Sequence, residues 1–338
     1  MQTFAQTETM KVTIKQIAEQ VGVSPSTVSR VLSGRGERLI SEQTRQRVLR
    51  AAEELGYQPH LGARSLVTGR TCTVALWMSQ LFTAFHARIV HLMETTLWRS
   101  GYELLIRQVG HQNEPPRHGR GRVDGIIGFE CVGALRSVRK ISHRRPVPVV
   151  SMGAYYLTDV DYVGVDLYTG TAQAVKHLIE QGCRRVAYLV NAESRHPGDA
   201  RRDAYDAVVE VAGLPKEYIV SVDQSRSAAM AAVAAHVEQF GLPDGIFCHN
   251  DEMALGAYRG LRLLGVRVPE EVALVGCDGI EDTEYLEVPL STVRQPLEEM
   301  CRLACEFLQR RMAQPDAPLQ SAVLLPQLMV RESSLRRR

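Results

Sequence analysis

The stretch from Thr13 to Leu32 leaves the backbone little choice. Thr13 and Gln16 form a capping-box pattern, and Ile14, Ile17, Ala18 and Val21 then recur at helical spacing, which predicts a short helix over 14–20. Gly22 ends it. Ser24 suits an N-cap and Pro25 the first helical position, so a second helix runs to about Ser33 with Val28, Val31 and Leu32 on its apolar face. Two helices joined by so short a turn make a helix-turn-helix, and its steric needs are met. Ala18 is small where the helices approach, Gly22 can take a positive φ, and Val28 fills the wedge. A third helix capped by Ser41, from Glu42 to Leu55, offers Val48, Ala52 and Leu55 to the same core and stops at Gly56.

Charge says what this head meets. Residues 11–70 hold ten Lys and Arg against five Glu, a surplus of +5 on a chain of 338 residues whose formal net charge is only +2. A basic head on a near-neutral body implies a polyanion partner for the head alone, and double-stranded DNA fits better than protein contacts. With the second helix in the major groove, Pro25, Ser26 and Arg30 would face base edges, while Thr27 and Ser29 suit phosphate oxygens. Arg30 is the main specificity candidate because a guanidinium pairs bidentately with guanine; its alternative role is a phosphate contact.

Seven scattered cysteines without paired CxxC spacing read as reduced, mostly buried thiols, and Cys301 and Cys305, on one helix face, read as core. No metal and no cofactor is expected. Residues 1–10 lack the charged start and apolar run of a leader and read as a disordered tail. No stretch approaches the ~18 apolar residues of a membrane span, so a cytoplasmic location is expected, with no membrane partner.

From residue 71 onward, apolar runs (VALW, YELLI, DGIIGF, VPVVS, YVGV, RVAYLV, YIVSV, GIFC, VALVG) alternate with helical stretches near 84–100, 168–181, 200–212, 227–240 and 252–264. Alternation of this kind predicts parallel sheets covered by helices. GxGxxG after the first strand and GxxxxGK[ST] are both missing, which removes the main support for a nucleotide-fold enzyme. Ligands of such sheets sit beyond the carboxyl ends of strands. Asp166 follows YVGV, Asn250 and Asp251 follow GIFCH, Asp278 follows VALVGC and Gln295 follows STVR. Phe85 and Trp77 can wall a cleft or pack in the core. Asn250 or Asp251 can equally cap the next helix, and Asp278 can stabilise the turn at Gly279.

The residues VTIKQIAEQVGVSPSTVSRVLSG, then SEQTRQRVLRAAEELGYQP, then ARSL, closely resemble the LacI/GalR family of bacterial repressors. The resemblance implies an N-terminal all-α helix-turn-helix domain followed by an α/β two-lobed domain like periplasmic binding proteins, with strands crossing between lobes and a ligand in the cleft. It also implies a hinge whose leucine enters the DNA minor groove. The matching residues here are Ala63, Arg64, Ser65 and Leu66, and a hinge this short should order only on DNA beside its partner copy. Among effector contacts, the family's pattern falls on Asp166, Arg201, Asn250, Asp278 and Gln295. Arg201 can instead be a surface residue beside Arg202. One cation, several carboxylates and two amides suit a sugar or sugar derivative, and Arg201 would also admit an anionic group.

Three departures stand out. The loop GRGERLI is longer than the family's short form, Gly62 weakens helix formation before the hinge, and residues 107–123 lack the family's crossover helix. There Arg117, His118, Arg120 and Arg122 read as a solvated loop. The expected organisation is a tail (1–10), a helix-turn-helix domain (11–58), a hinge (59–70) and a two-lobed effector-binding and dimerisation domain (71–338). The expected function is a homodimeric, effector-responsive regulator, a repressor on a pseudo-palindromic operator. A solute-binding module without regulatory DNA binding is the alternative; it would have no use for residues 11–70. An enzyme is not expected, because no nucleophile with an oriented His, metal cluster or phosphate loop can be assembled from motifs.

Overall fold

The computed structural model describes residues 12–32, 40–57, 70–109, 123–141, 147–192 and 198–336. Most of GRGERLI, the hinge residues Gly62, Ala63, Arg64, Ser65 and Leu66, and Arg117, His118, Arg120 and Arg122 lie outside them. The chain divides into two compact units, Met1–Thr71 and Cys72–Arg338.

In the first unit α1 (Ile14–Val21), α2 (Pro25–Leu32) and α3 (Glu42–Glu54) enclose a core of Ile17, Ala18, Val21, Val28, Val31, Val48, Ala51 and Ala52. The capping box is present, with Gln16 N–H on Thr13 Oγ1 and Gln16 Oε1 receiving the Thr13 amide, and Gly22 takes φ +72°. Val28 is fully buried. The expected Leu55 is only partly buried as the C-cap just past the end of α3, and Ala51 joins Val48 and Ala52 on the same buried face at i+3 and i+4. Arg47 ties α3 to the turn through the Val21 carbonyl at 2.6 Å.

The second unit has two six-stranded sheets. The first lobe contains β1 (Thr73–Met78), α4 (Ala84–Arg99), β2 (Glu103–Gln108), β3 (Gly125–Phe129), α5 (Val132–Ile141), β4 (Val149–Gly153) and β5 (Asp161–Val165). The second contains α6 (Leu167–Glu180), β6 (Val186–Asn191), α7 (Ala200–Val211), β7 (Glu217–Ser221), α8 (Arg226–Phe240), β8 (Gly245–Cys248), α9 (Asp251–Leu263), β9 (Ala273–Asp278) and β10 (Ser291–Arg294). The chain then returns through α10 (Leu297–Ala313) and β11 (Ser321–Leu324) to the first lobe, and through β12 (Gln327–Met329) to the second.

Sheet order is β11-β5-β4-β3-β1-β2 in one lobe, all parallel, and β12-β10-β9-β8-β6-β7 in the other, parallel except for β12. Central strands β1, β3, β6 and β9 are buried almost throughout, which explains their continuous apolar runs. Edge strand β2 is largely exposed and carries charge at Glu103 and Arg107, so its template is blunted. The expected parallel, two-lobed architecture holds, and β2 and β3 flank β1 as a crossover requires.

Helices α8 and α9 approach at Gly256, where a Cβ would sit 2.2 Å from the Arg226 carbonyl oxygen. Alanine normally favours a helix over glycine by roughly 0.5–1 kcal/mol, but overpacking against backbone costs ~1–3 kcal/mol. Gly256→Ala should therefore lower the unfolding free energy in urea by about 1–2 kcal/mol; unchanged or higher stability would mean that the two helices part without cost.

Candidate functional site

In the first unit α2 presents Pro25, Ser26 and Arg30 to solvent, while Thr27 and Ser29 are half-buried. Ser24 Oγ accepts the Thr27 amide at 3.1 Å and lies 2.8 Å from Thr27 Oγ1 and 2.7 Å from Ser26 Oγ. The N-terminus of this helix is therefore a cluster of three hydroxyls, Ser24, Ser26 and Thr27, suited to a phosphate oxygen. The candidate DNA contacts within the described residues thus share one exposed helix. Ala63 and Leu66 are outside the described residues.

In the second unit a cavity of ≈ 90 Å³ opens between the lobes. Phe85, Arg201, Asn250, Asp278 and Gln295 all line it, as do Glu130, Tyr155, His86, His249, Gln224 and Glu252. A wider cavity of ≈ 880 Å³ shares Phe85, Asp278 and Gln295 with it. Asp166 is not brought there: its carboxylate caps α6, accepting the Thr169 amide at 3.0 Å and the Thr169 hydroxyl at 2.7 Å. The strand-end position is the one expected, but the helix start takes the side chain first. Trp77 belongs to the core on the other side of the sheet, whereas Phe85 is both core and cavity wall.

Arg201 is only 7% exposed and fully engaged. Its Nε and Nη2 reach the Asp199 carboxylate at 3.3 and 3.2 Å, Nη1 donates to the His249 carbonyl at 3.1 Å, and Nη2 also reaches Tyr155 Oη at 3.1 Å. Tyr155 donates to the same Asp199 carboxylate. Asp199 caps α7 through the Arg201 and Arg202 amides. Burial alone would raise the Asp199 carboxyl, but the Arg201 charge and the hydrogen bonds hold it well below the usual range. The anionic ligand group that Arg201 could have received is thus supplied by the protein itself.

Asn250 caps a helix and also lines the cavity. Its Oδ1 caps α9 on the Met253 amide at 2.8 Å, and its Nδ2, held by Gln224 Oε1 at 2.9 Å, sits at the cavity wall. Asp251 is wholly buried and outside the cavity lining; it receives the Gly279 and Ile280 amides at 2.7 and 2.9 Å and the Thr292 hydroxyl at 2.7 Å. Burial pushes its carboxyl up to about 6. Asp278 accepts from Gln295 Nε2 at 2.9 Å, and burial pushes its carboxyl well above the usual range. Burial also lowers His86 to about 4 and His249 well below its ordinary value, so both rings are neutral near pH 7.

Sequence reasoning missed Glu130, Tyr155, Asp199 and His249. Glu130 ends the strand DGIIGF, so the rule that selected Asp166 applied equally to it. Asp199 was legible as an N-cap two residues before Arg201. Tyr155 lies in a loop, where spacing carries no signal.

Residues 13–60 match the model for bacterial regulatory proteins of the lacI family, and residues 175–334 match a periplasmic binding protein-like domain. The chain is 31% identical over 333 residues to the ribose operon repressor of Escherichia coli (strain K12), covering 95% of this chain and 99% of that protein. It is 30% identical over 336 residues to the HTH-type transcriptional repressor PurR of Aliivibrio fischeri (strain MJ11), covering 96% and 99%. Among solved structures, a lac repressor dimer bound to operator and the anti-inducer ONPF shares the fold, with a TM-score of 0.83, 23% identity and coverage of 96% and 99%. A complex of the transcriptional regulator CelR with cellobiose has a TM-score of 0.63, 30% identity and coverage of 96% and 100%.

Removing one partner of a buried ion pair leaves an uncompensated charge at a cost of ~3–5 kcal/mol, whereas removing both costs much less. Asp199→Ala should accordingly destabilise the body by about that amount in urea unfolding, and Asp199→Ala combined with Arg201→Met by clearly less. Equal losses would mean that the cap, not the charge, is what Asp199 supplies.

Proposed function

Since the chain belongs to the lacI family of bacterial regulatory proteins, we propose that it is a cytoplasmic repressor that binds a pseudo-palindromic operator as a homodimer and is controlled by a sugar or sugar derivative. One observation carries this reading: a basic helix-turn-helix head shares its chain with a two-lobed body whose polar cavity takes residues from both lobes. The names of its relatives, a ribose operon repressor and a regulator complexed with cellobiose, support the sugar. Those relatives are regulators, and the reading needs no turnover.

We assign residues 11–58 to DNA recognition, 59–70 to the hinge and 71–338 to effector binding and dimerisation, with 1–10 as a tail. Pro25, Ser26 and Arg30 would read base edges and Thr27 and Ser29 hold phosphates; Ala63 and Leu66 would enter the minor groove. Phe85, Arg201, Asn250, Asp278 and Gln295 form the effector set. Asp166 acts on it only through α6. Ligand favours one arrangement of the lobes, and the relation between lobes biases the order of the hinge.

Selection of sites from a random duplex pool with the purified full chain should enrich an inverted repeat; no enrichment would overturn the operator reading. Leu66→Ala should weaken specific binding more than non-specific binding in fluorescence anisotropy, and equal loss in both would reject the wedge. Arg30→Ala should cost ~1–3 kcal/mol at one base pair of each half-site and little elsewhere; a loss uniform over all sequences would make Arg30 a phosphate contact. Arg201→Met combined with Asp199→Ala, which leaves neither charge buried alone, should keep operator binding and lose release by ligand, and release retained in that double variant would remove Arg201 from the effector set.

A further inference from the structure

The aim of α2 rests on very little chain. The helix has eight residues and buries Val28 and Val31 in the core of the head. Apolar contacts resist separation but have no preferred direction, so two valines set the tilt of so short a helix only loosely. Direction comes from Gly22, Val23 and Ser24, the residues between the end of α1 at Val21 and the start of α2 at Pro25.

Where that turn begins, α1 does not complete itself. The last four carbonyls of a helix have no partner within it, and a cation near them is favourable. Gly22 and Val23 both donate their amides to the Ala18 carbonyl, at 2.9 and 3.1 Å, and α1 carries no basic residue in its last turn. The Val21 carbonyl is met from α3, where Arg47 Nη2 donates to it at 2.6 Å in a half-buried contact. A second tie between these helices, from Gln20 Nε2 to Glu54 Oε2 at 3.4 Å, is longer and exposed. Arg47 is otherwise exposed, and its Nε and Nη1 bond nothing among the described residues.

We propose that Arg47 is a positioning residue for DNA recognition: by bridging α3 and the last carbonyl of α1, it fixes the turn from which α2 is aimed. This rests on the operator reading above and adds to it a residue outside α2. Side chains that read base edges must be held within about 0.5 Å and ~10–20° of their productive geometry. Attraction to the phosphate backbone makes no such demand. Loss of the Arg47 contact therefore falls on discrimination between sequences and spares general affinity for DNA.

The test is fluorescence anisotropy of the purified full chain, unchanged and as Arg47→Met and Arg47→Lys. Two labelled duplexes are used over a salt series: the repeat enriched by selection, and a scrambled duplex of the same length and composition. Arg47→Met should lower affinity for the repeat roughly tenfold or more and affinity for the scrambled duplex less than about twofold. Arg47→Lys, which keeps the charge and an N–H donor for the Val21 carbonyl, should restore most of the ratio. Partial unfolding of the head scales both affinities by the same folded fraction, so a purely structural role leaves the ratio unmoved. An unchanged ratio in Arg47→Met would thus overturn the proposal and leave the operator reading standing. A ratio lost equally in Arg47→Lys would overturn it too, as would a uniform loss with the salt slope reduced by about one; either makes Arg47 a direct DNA contact. Selection that enriches no repeat would count against the operator reading and this role together.

Discussion

The body turns on the contact of Arg201 with Asp199 and Tyr155. Arg201 and Asp199 stand at the start of α7 in one lobe, and Tyr155 comes from the loop between β4 and β5 in the other. A buried ion pair contributes little net stability compared with apolar packing, because desolvation offsets most of the Coulomb gain. It is a good device for defining a geometry, since any movement that leaves one charge buried and unmatched is steeply penalised. The cavity beside it, at ≈ 90 Å³, is far below the roughly 300–1,000 Å³ of ordinary ligand sites. The wider cavity of ≈ 880 Å³ shares Phe85, Asp278 and Gln295 with it, so these three residues also line a space of ligand size. A ligand would shift a balance between two arrangements of the lobes only by its difference in affinity for the two.

What could be read from residues alone follows how local the cause is. The three helices of the head rest on caps, a glycine at φ +72° and apolar spacing within a few residues, and all are placed to within about two residues by those signals. Buried parallel strands declared themselves as unbroken apolar runs. Helix α5, VGALRSVRKI, went unread because Gly133, Ser137 and its β-branched residues lower its propensity and the apolar face is short. β11 and β12 complete the two sheets near the end of the chain, β11 beside the distant β5 (Ser321 opposite Tyr162) and β12 antiparallel to β10 (Met329 opposite Thr292), and no local pattern announces either pairing. The same division holds at the site. Asn250, Asp278 and Gln295 were found by position on strands, whereas Tyr155 depends on how a loop of the other lobe folds across the cleft. Asp166 shows the opposite failure, a position chosen correctly by rule whose carboxylate the next helix claims.

Asp278, which lines the cavity, stands on a backbone held by a group outside the lining. Asp278 ends β9 with φ +135°, a backbone conformation that costs a side-chain-bearing residue ~1–3 kcal/mol and persists only where the surroundings over-determine it. The Asp251 carboxylate does so from behind, taking the amides of Gly279 and Ile280, while the Gln295 amide donates to the Asp278 carbonyl at 3.2 Å. Two glycines make room. A Cβ at Gly276 would lie 2.1 Å from Asp251 Oδ1, and one at Gly279 2.4 Å from Arg294 Cγ, on a residue whose own φ is +78°. Asp251 at the start of α9, the turn after β9 and Thr292 on β10 are thereby one hydrogen-bonded piece. The acid that faces the cavity is rigid because a second acid, sealed from it, holds the backbone on which it stands.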